Sequence, residues 1–352
     1  MSLFYLLAFF LSCFLTYLIR QYALKKSLLD LPNARSSHSQ PTPRGGGLAI
    51  VLTFFLTLLL LQFTGLIELQ NRSAIAILLS SFVIAGIGFC DDHQHIPARW
   101  RLLVHLIATA SALIFLPHLP TLPLFGFELD FGYLGVLFYT LAIVWLLNLY
   151  NFMDGIDGIA STEFISVTLN ATLLVWLENQ IDWLAPLWLI AAATAGFLVW
   201  NWASAKIFMG DVGSGFLGFF LGIFVIFTAS NSALNLWSWL ILLAVFISDA
   251  SFTLLKRFLT KQVWYEAHCS HTYQRYAKQV IAQLSQQGLT PQTARCQAHR
   301  RINFIVLFIN SGWLLPLAAL AMHYPDAGLL ISVIAIAPLL FLAQHFKAGQ
   351  PE

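Results

Sequence analysis

Apolar runs and short polar breaks alternate along the whole chain. A helix crosses a bilayer with about 20 mostly apolar residues. Eleven runs approach or reach that length: 3–20, 46–64, 73–90, 102–118, 133–150, 160–178, 184–202, 215–230, 235–253, 303–322 and 327–346. No small-residue cleavage site follows the first run, so it reads as a retained helix and not as a removable signal peptide. The pattern predicts an all-α fold, a polytopic membrane protein of about 11 transmembrane helices, forming one integral-membrane domain over residues 1–352. The only long polar stretch is 254–302. Within it, Ala277–His299 has the pattern of one or two amphipathic helices lying at the membrane surface. No internal repeat and no low-complexity tract is visible.

Composition agrees with this reading. Apolar residues make up 59% of the 352 positions and charged residues only 10%, against about 25% charged in soluble proteins. A soluble core of this size could not hide so much apolar surface. A disordered chain, a nucleic-acid binder and an ordinary cytosolic enzyme are therefore excluded. The four cysteines, Cys13, Cys90, Cys269 and Cys296, lack the spacing of a zinc site or a disulfide framework. Net charge is only +2, but its distribution is informative. Assigning alternate loops to two sides puts 17 of the 18 Lys and Arg residues on one side and leaves only Arg72 on the other. Basic loops face the cytoplasm. With eleven spans the N-terminus is expected in the periplasm and the C-terminus in the cytoplasm. The 254–302 loop is then cytoplasmic.

Acids contribute little to topology, yet they cluster on the same side. Asp91 and Asp92 are adjacent at the end of the third run. Two such carboxylates repel, so one takes up a proton or both bind a cation; a solvated helix end has the same pattern. Asn148, Asn151, Asp154 and Asp157 follow at three-residue spacing in Asn-Leu-Tyr-Asn-Phe-Met-Asp-Gly-Ile-Asp-Gly. Residues three apart share a helix face, and the two Asp-Gly pairs then turn the backbone. Polar groups so close to hydrocarbon need partners, and a hard cation or a phosphate suits them; a plain helix C-cap and turn is the alternative. Met209-Gly-Asp211-Val-Gly-Ser-Gly215 opens the eighth run. Its aspartate suits Mg²⁺ and its amides an anion, with Lys206 just upstream, although glycines at a helix entry also serve packing.

Three further stretches carry less specific signals. His268-Cys-Ser-His271-Thr-Tyr-Gln-Arg275 lies in the polar loop. With Arg275 adjacent and no third metal ligand nearby, it favours anion binding over zinc. Arg44 precedes Gly45-Gly46-Gly47, and Arg35-Ser-Ser-His38 precedes that; each reads as a phosphate cradle or as a flexible basic helix entry. Asp249, near the end of the ninth run, is a candidate simply as an ionisable residue in a span. The polar clusters thus share one membrane face. A carboxylate-rich, glycine-lined site there suits metal-assisted phosphoryl transfer between a cytosolic and a lipid substrate.

At this point the chain resembles the bacterial polyprenyl-phosphate N-acetylhexosamine-1-phosphate transferases, the superfamily of the MraY and WecA enzymes. The segments that carry the resemblance are 32–47, Asp91-Asp92, 148–158, 210–214 and 268–275, in that order. The resemblance implies that undecaprenyl phosphate attacks the sugar-linked phosphorus of a UDP-N-acetylamino sugar and releases UMP. It implies Mg²⁺ as cofactor, with Mn²⁺ as a substitute, and metal ligation by Asp211 and Asn151. Asp91 and Asp92 are then expected to meet the lipid phosphate. Asp154 and Asp157, with Asn151, are expected to hold the nucleotide-sugar, and the four aspartates 91, 92, 154 and 157 form the expected catalytic set. Asn148, Asn151, Arg44, Lys206, His268, His271 and Arg275 form the expected substrate-binding set. A phosphate monoester loses its second proton near pH 6, so positioning outweighs proton removal.

The His268–Arg275 segment lacks the run of adjacent histidines of the MraY branch. It resembles instead the O-antigen-initiating branch similar to WbpL, which implies UDP-FucNAc, UDP-QuiNAc, UDP-GlcNAc or a related donor, and a role in lipopolysaccharide synthesis at the bacterial inner membrane. No nucleic-acid partner is expected; a homodimer is an open expectation. The rival readings are a secondary transporter or lipid flippase, which would place polar groups at mid-membrane and show repeat halves, and a CDP-alcohol-type phosphotransferase, whose acidic motif is only partly imitated here.

Overall fold

The structure is a computed structural model. It describes all residues except 33–39, 68–70, 95, 181–183, 264–267 and 352. The Arg35–His38 stretch therefore lies outside the described residues. Fourteen helices make up most of the described chain: α1 (Ser2–Lys25), α2 (Gly47–Phe63), α3 (Arg72–His93), α4 (Ala98–Ile114), α5 (Gly135–Met153), α6 (Ile159–Leu177), α7 (Leu184–Asn201), α8 (Asp211–Ser230), α9 (Leu236–Leu242), α10 (Ala244–Leu259), α11 (Thr272–Gln286), α12 (Pro291–Phe308), α13 (Leu315–His323) and α14 (Gly328–His345). Two antiparallel pairs of very short strands complete it, β1 (Leu29–Asp30) with β2 (Thr42–Pro43) and β3 (Leu122–Leu124) with β4 (Phe127–Leu129).

Every apolar run read from the sequence falls on a helix. Among the described residues, seven helices suffice by length and composition to cross a membrane, or eight with a bent pair, while α2 and α7 are shorter apolar helices. The bent pair is α9 and α10, which meet at 74°, where a single straight span had been expected. No proline or glycine marks that break. In the polar stretch, α11 and α12 are helical, but α12 does not end at His299. It continues through a π-helical turn, Ile309–Leu314, into α13, giving one span over Pro291–His323.

Local sequence explains several boundaries. Asn71 caps α3 by accepting from Ala74 N at 2.6 Å, and Asn235 caps α9 by accepting from Ser238 N at 2.9 Å. Thr290 caps α12, with Pro291 in the first turn. Gly158, at φ +79°, turns the chain into α6.

The helices α8 and α6 form the centre, 83% and 78% buried, whereas α1 and α3 are only 17% and 28% buried. Phe10, Phe63, Phe82, Ile107, Tyr133 and Phe341 are among many large apolar side chains on the outside. An apolar exterior of this extent suits lipid. The protein is an all-α, multi-pass membrane protein. At one end the β3–β4 hairpin is pinned to the start of α14 by Gly126 N donating to Asp326 Oδ1 at 3.1 Å. The acidic motifs gather at the other.

Candidate active site

Four helix ends meet at the acidic cluster, and glycines allow them to meet. A Cβ on Gly88 of α3 would lie 2.6 Å from the Asp211 carbonyl oxygen and 2.7 Å from Val212 N. A Cβ on Gly47 of α2 would lie 2.3 Å from Gly213 Cα. Small residues at such crossings let backbones touch. The triple glycine 45–47 is thus a packing device here: Gly46 N and Gly47 N donate to the carbonyls of Phe208 and Met209, which fixes the entry to α8.

Asp92 completes that entry. Its two carboxylate oxygens accept from Asp211 N at 3.0 Å and Val212 N at 3.1 Å, capping α8 from a different helix. Gly210 (φ +78°) abuts the same carboxylate; a Cβ there would lie 2.6 Å from it. Arg44 donates to the Asp92 carbonyl. Asp91 points elsewhere. Arg101 Nη1 bridges Asp91 Oδ2 and Asp211 Oδ2, at 2.5 Å from each. Asp211 Oδ1 accepts from Asn151 Nδ2 at 2.7 Å, and the same amide reaches Ser214 Oγ at 3.2 Å. Asn151 therefore orients Asp211 through its nitrogen. Asn148 bonds the Val144 carbonyl of its own helix.

The 154–158 turn adjoins this cluster. Burial, then the carboxylates of Asp211, Asp157 and Asp92, push the Asp154 carboxyl well above the ordinary carboxylate range. Asp157 is held from three sides: Oδ2 accepts from Ala205 N at 3.2 Å, His299 Nδ1 accepts from Asp157 N at 3.4 Å and lies 3.2 Å from the same Oδ2, and Asn303 donates to the Asp157 carbonyl at 2.8 Å. Gly158 N donates to Asn201 Oδ1 at 3.1 Å. Beside Asp157 lies a polar recess of about 60 Å³, lined by Thr42, Ser204, Phe208, Gln292 and Arg295 among others.

The histidine segment docks onto that turn. A Cβ on Gly155 would lie 2.2 Å from Tyr273 Oη and 2.7 Å from Gln274 Nε2. Asp249, reaching out from α10, caps α11 by accepting from Thr272 N at 2.9 Å and Tyr273 N at 3.2 Å, with His271 Nδ1 at 3.5 Å. The His268 ring lies 4.8 Å from that of His271. Two basic residues of the sequence reading are engaged elsewhere. Arg275 donates to the Gln350 carbonyl, and the Lys206 ammonium sits 5.3 Å over the Trp200 ring.

Arg101, His299 and Asn303 were not legible as site residues. Each acts through a partner far away in sequence, and nothing local separates Arg101 from Arg99 or His299 from its polar neighbours. Asp249 was legible as an ionisable group in a span; its role as a cap was not.

Among the described residues, no three His, Cys, Asp or Glu side chains are arranged to hold a metal ion by themselves. Mg²⁺ takes only one or two carboxylates, with water and substrate phosphates completing its shell. The crowded acids around Asp154, and the guanidinium shared by Asp91 and Asp211, show a cluster that needs positive charge. The donor set fits a divalent cation.

Fold and site together define a class: an integral-membrane protein with an acidic, glycine-packed centre at one end of its helix bundle. Residues 74–229, which run from α3 to α8 and include Asp91, Asp92, Asp154, Asp157 and Asp211, match the family model described as glycosyl transferase family 4. The chain is 28% identical over 273 residues to a probable undecaprenyl-phosphate N-acetylglucosaminyl 1-phosphate transferase of Bacillus subtilis, covering 74% of this chain and 73% of that one. It is 29% identical over 265 residues to a phospho-N-acetylmuramoyl-pentapeptide-transferase of Streptococcus mutans, covering 68% and 74%. The chain is thus similar to glycosyl transferase family 4 over residues 74–229, and to these two transferases over 74% and 68% of its length.

Proposed function

We propose that this protein transfers a sugar 1-phosphate from a UDP-N-acetylamino sugar to undecaprenyl phosphate and releases UMP. An oxygen of the lipid phosphate forms a bond to the sugar-linked phosphorus, and the bond from that phosphorus to the bridging oxygen breaks, leaving with UMP. The observation that carries this reading is the convergence of Asp91, Asp154 and Asp211 from three separate helix ends. The names of the two relatives above support the reaction class.

The residues divide the work as follows. Asp211, oriented by Asn151, with Asp154 beside it, would hold Mg²⁺ (or Mn²⁺), which would supply positive charge to the diphosphate. Arg101 adds fixed positive charge between Asp91 and Asp211, where a transferring phosphoryl group gathers negative charge. Asp91 faces the lipid phosphate. The nucleotide-sugar lies toward Asp157 and the adjoining recess, where Phe208 offers an aromatic wall for a base. The histidine segment, held against Gly155, closes the sugar side.

A groove for the lipid lies on the same helix as the site. A cavity of about 320 Å³ is lined by Phe138, Trp145, Leu146, Trp237, Leu240 and Leu243, between α5 and the bent α9–α10 pair. Trp145 precedes Asn151 by six residues on α5, about 9 Å along a helix, so an apolar chain in the groove leads its phosphate to the acids. The site faces the cytoplasm of the bacterial inner membrane in this reading, because the basic loops share its side. UDP-FucNAc, UDP-QuiNAc and UDP-GlcNAc are the proposed donors, with O-antigen initiation as the process. The test is UMP release by purified protein given undecaprenyl phosphate, Mg²⁺ and a panel of UDP-N-acetylamino sugars. Release with at least one donor is expected. No release with any donor, together with flux of lipid or sugar across liposomes, would favour the transporter or flippase.

A further inference from the structure

The mechanism above leaves a chain of buried polar groups without a task. They run between α6 and α12, away from the acidic cluster. His299 and Asn303 hold Asp157, as described. One to two turns further along, Asn310 Nδ2 donates to Glu163 Oε2 at 2.6 Å and to Ser166 Oγ at 2.7 Å. Asn170 Nδ2 returns a bond to the Asn310 carbonyl at 3.0 Å. His299, Asn303, Asn310 and Glu163 are all at most 1% exposed. Asn310 sits inside the π-helical turn Ile309–Leu314. Such turns shift the register of a helix by one residue and mark functional positions.

Buried polar groups in an apolar bundle are costly unless paired, and a helix whose polar groups pair in one register is fixed in that register. We infer that α12 is a positioning strut for Asp157. In this reading His299 and Asn303 fix the Asp157 carboxylate and main chain, and the Glu163–Asn310 lock fixes the height of α12 against α6. His299 is a positioning residue and does not touch substrate: its Nε2 is buried without a partner, and the recess is lined by Asp157 and not by His299. Gln292 and Arg295, which line that recess, belong to the same helix. One element therefore both walls the nucleotide side and holds the carboxylate that faces it. The inference rests on the proposed nucleotide-sugar reading only for its kinetic arm.

The test uses the full-length protein in detergent with three variants. His299→Leu keeps bulk and removes the bond to Asp157. His299→Asn places an amide near the position of Nδ1. Asn310→Leu breaks the lock without touching Asp157. Amide exchange of 154–158 is measured without substrate, and the kinetics with each substrate varied. Losing the acceptor of a buried backbone N–H typically costs about tenfold. His299→Leu is expected to speed exchange of the turn about tenfold and raise KM for the UDP-sugar about tenfold. KM for undecaprenyl phosphate should stay within about twofold, because Asp157 lies on the nucleotide side; a loss of folded protein would instead lower apparent kcat and leave both KM values unchanged. His299→Asn should restore both properties, and Asn310→Leu should speed exchange of the same turn. Unchanged exchange in His299→Leu, or an Asn variant as impaired as the Leu variant, would overturn the strut. If His299→Leu does not fold, Asn310→Leu carries the test, and unchanged exchange of 154–158 there overturns the inference. Failure of all donors with faster exchange in His299→Leu would overturn the proposed reaction and leave the strut standing.

Discussion

Gly88 offers a test of the geometry that needs no assumption about the metal. In Gly88→Ala the new Cβ would start 2.6 Å from the Asp211 carbonyl oxygen, whereas ordinary contact begins near 3.4 Å. Because the obstacle is backbone and not the end of a flexible side chain, α3 and α8 must part by about 0.8 Å, the difference between those two distances. Overpacking of this kind costs about 1–3 kcal/mol. Alanine in place of glycine inside a helix returns about 1 kcal/mol. The net loss is therefore about 0–2 kcal/mol, and the protein should still fold. The site is less tolerant. The Asp92 cap on α8 spans 3.0 and 3.1 Å, and parting the helices stretches it while moving Asp211 away from Asp91 and Arg101. A displacement of about 1 Å costs about 10²-fold in rate. The prediction is a fall in kcat of about two orders of magnitude with a melting temperature within a few degrees of wild type. The control is Gly86→Ala, two residues away on the same helix, where nothing lies within 4 Å of the new Cβ; it should be fully active and slightly more stable. Measured UMP release in which Gly88→Ala matches Gly86→Ala would refute the claim that this crossing sets the position of Asp211.

Other consequences follow from the same geometry. Asp92→Ala should lose both capping bonds and about 1–2 kcal/mol of stability, seen as a lower melting temperature, while Asp91→Ala should lower activity with a smaller effect on melting. The raised Asp154 carboxyl fixes the sign of a pH effect. Its neutral form favours the folded state, so this contribution is fully present below the ordinary carboxylate value and is lost as pH rises through the raised one. Without divalent cations, melting temperature should fall with rising pH in the wild type; Mg²⁺, or Asp154→Asn, should remove that fall. Asp249→Ala should free the start of α11, raising amide exchange at Thr272 and Tyr273 and lowering turnover, and Asp249→Asn should fall between.

The fold was legible because membrane helices are written locally, as runs of apolar residues. The breaks in that pattern were less legible. The α9–α10 bend carries no proline or glycine, and the π turn at Ile309–Leu314 pairs Asn310 with Glu163, 147 residues earlier. The acidic motifs could be found because each is a short cluster of costly side chains at the end of an apolar run. Their division of labour was not legible. Asp91 and Asp92 are neighbours with the same chemistry, yet one pairs with Arg101 and the other caps α8, and only the approach of α8 separates them. The glycines of 45–47 read equally as a phosphate cradle and as a flexible entry; what Gly47 meets is Gly213, a partner no local pattern names.

The central claim is that Asp211, with Asp154 beside it, holds a divalent cation for the diphosphate of a nucleotide-sugar. Mn²⁺ titration of the purified protein, followed by electron paramagnetic resonance with and without UDP, tests it most directly. One Mn²⁺ per chain is predicted, bound more tightly in the presence of UDP and lost in Asp211→Asn, whose fold should be intact. Mn²⁺ binding that is indifferent to both UDP and Asp211→Asn would contradict the account.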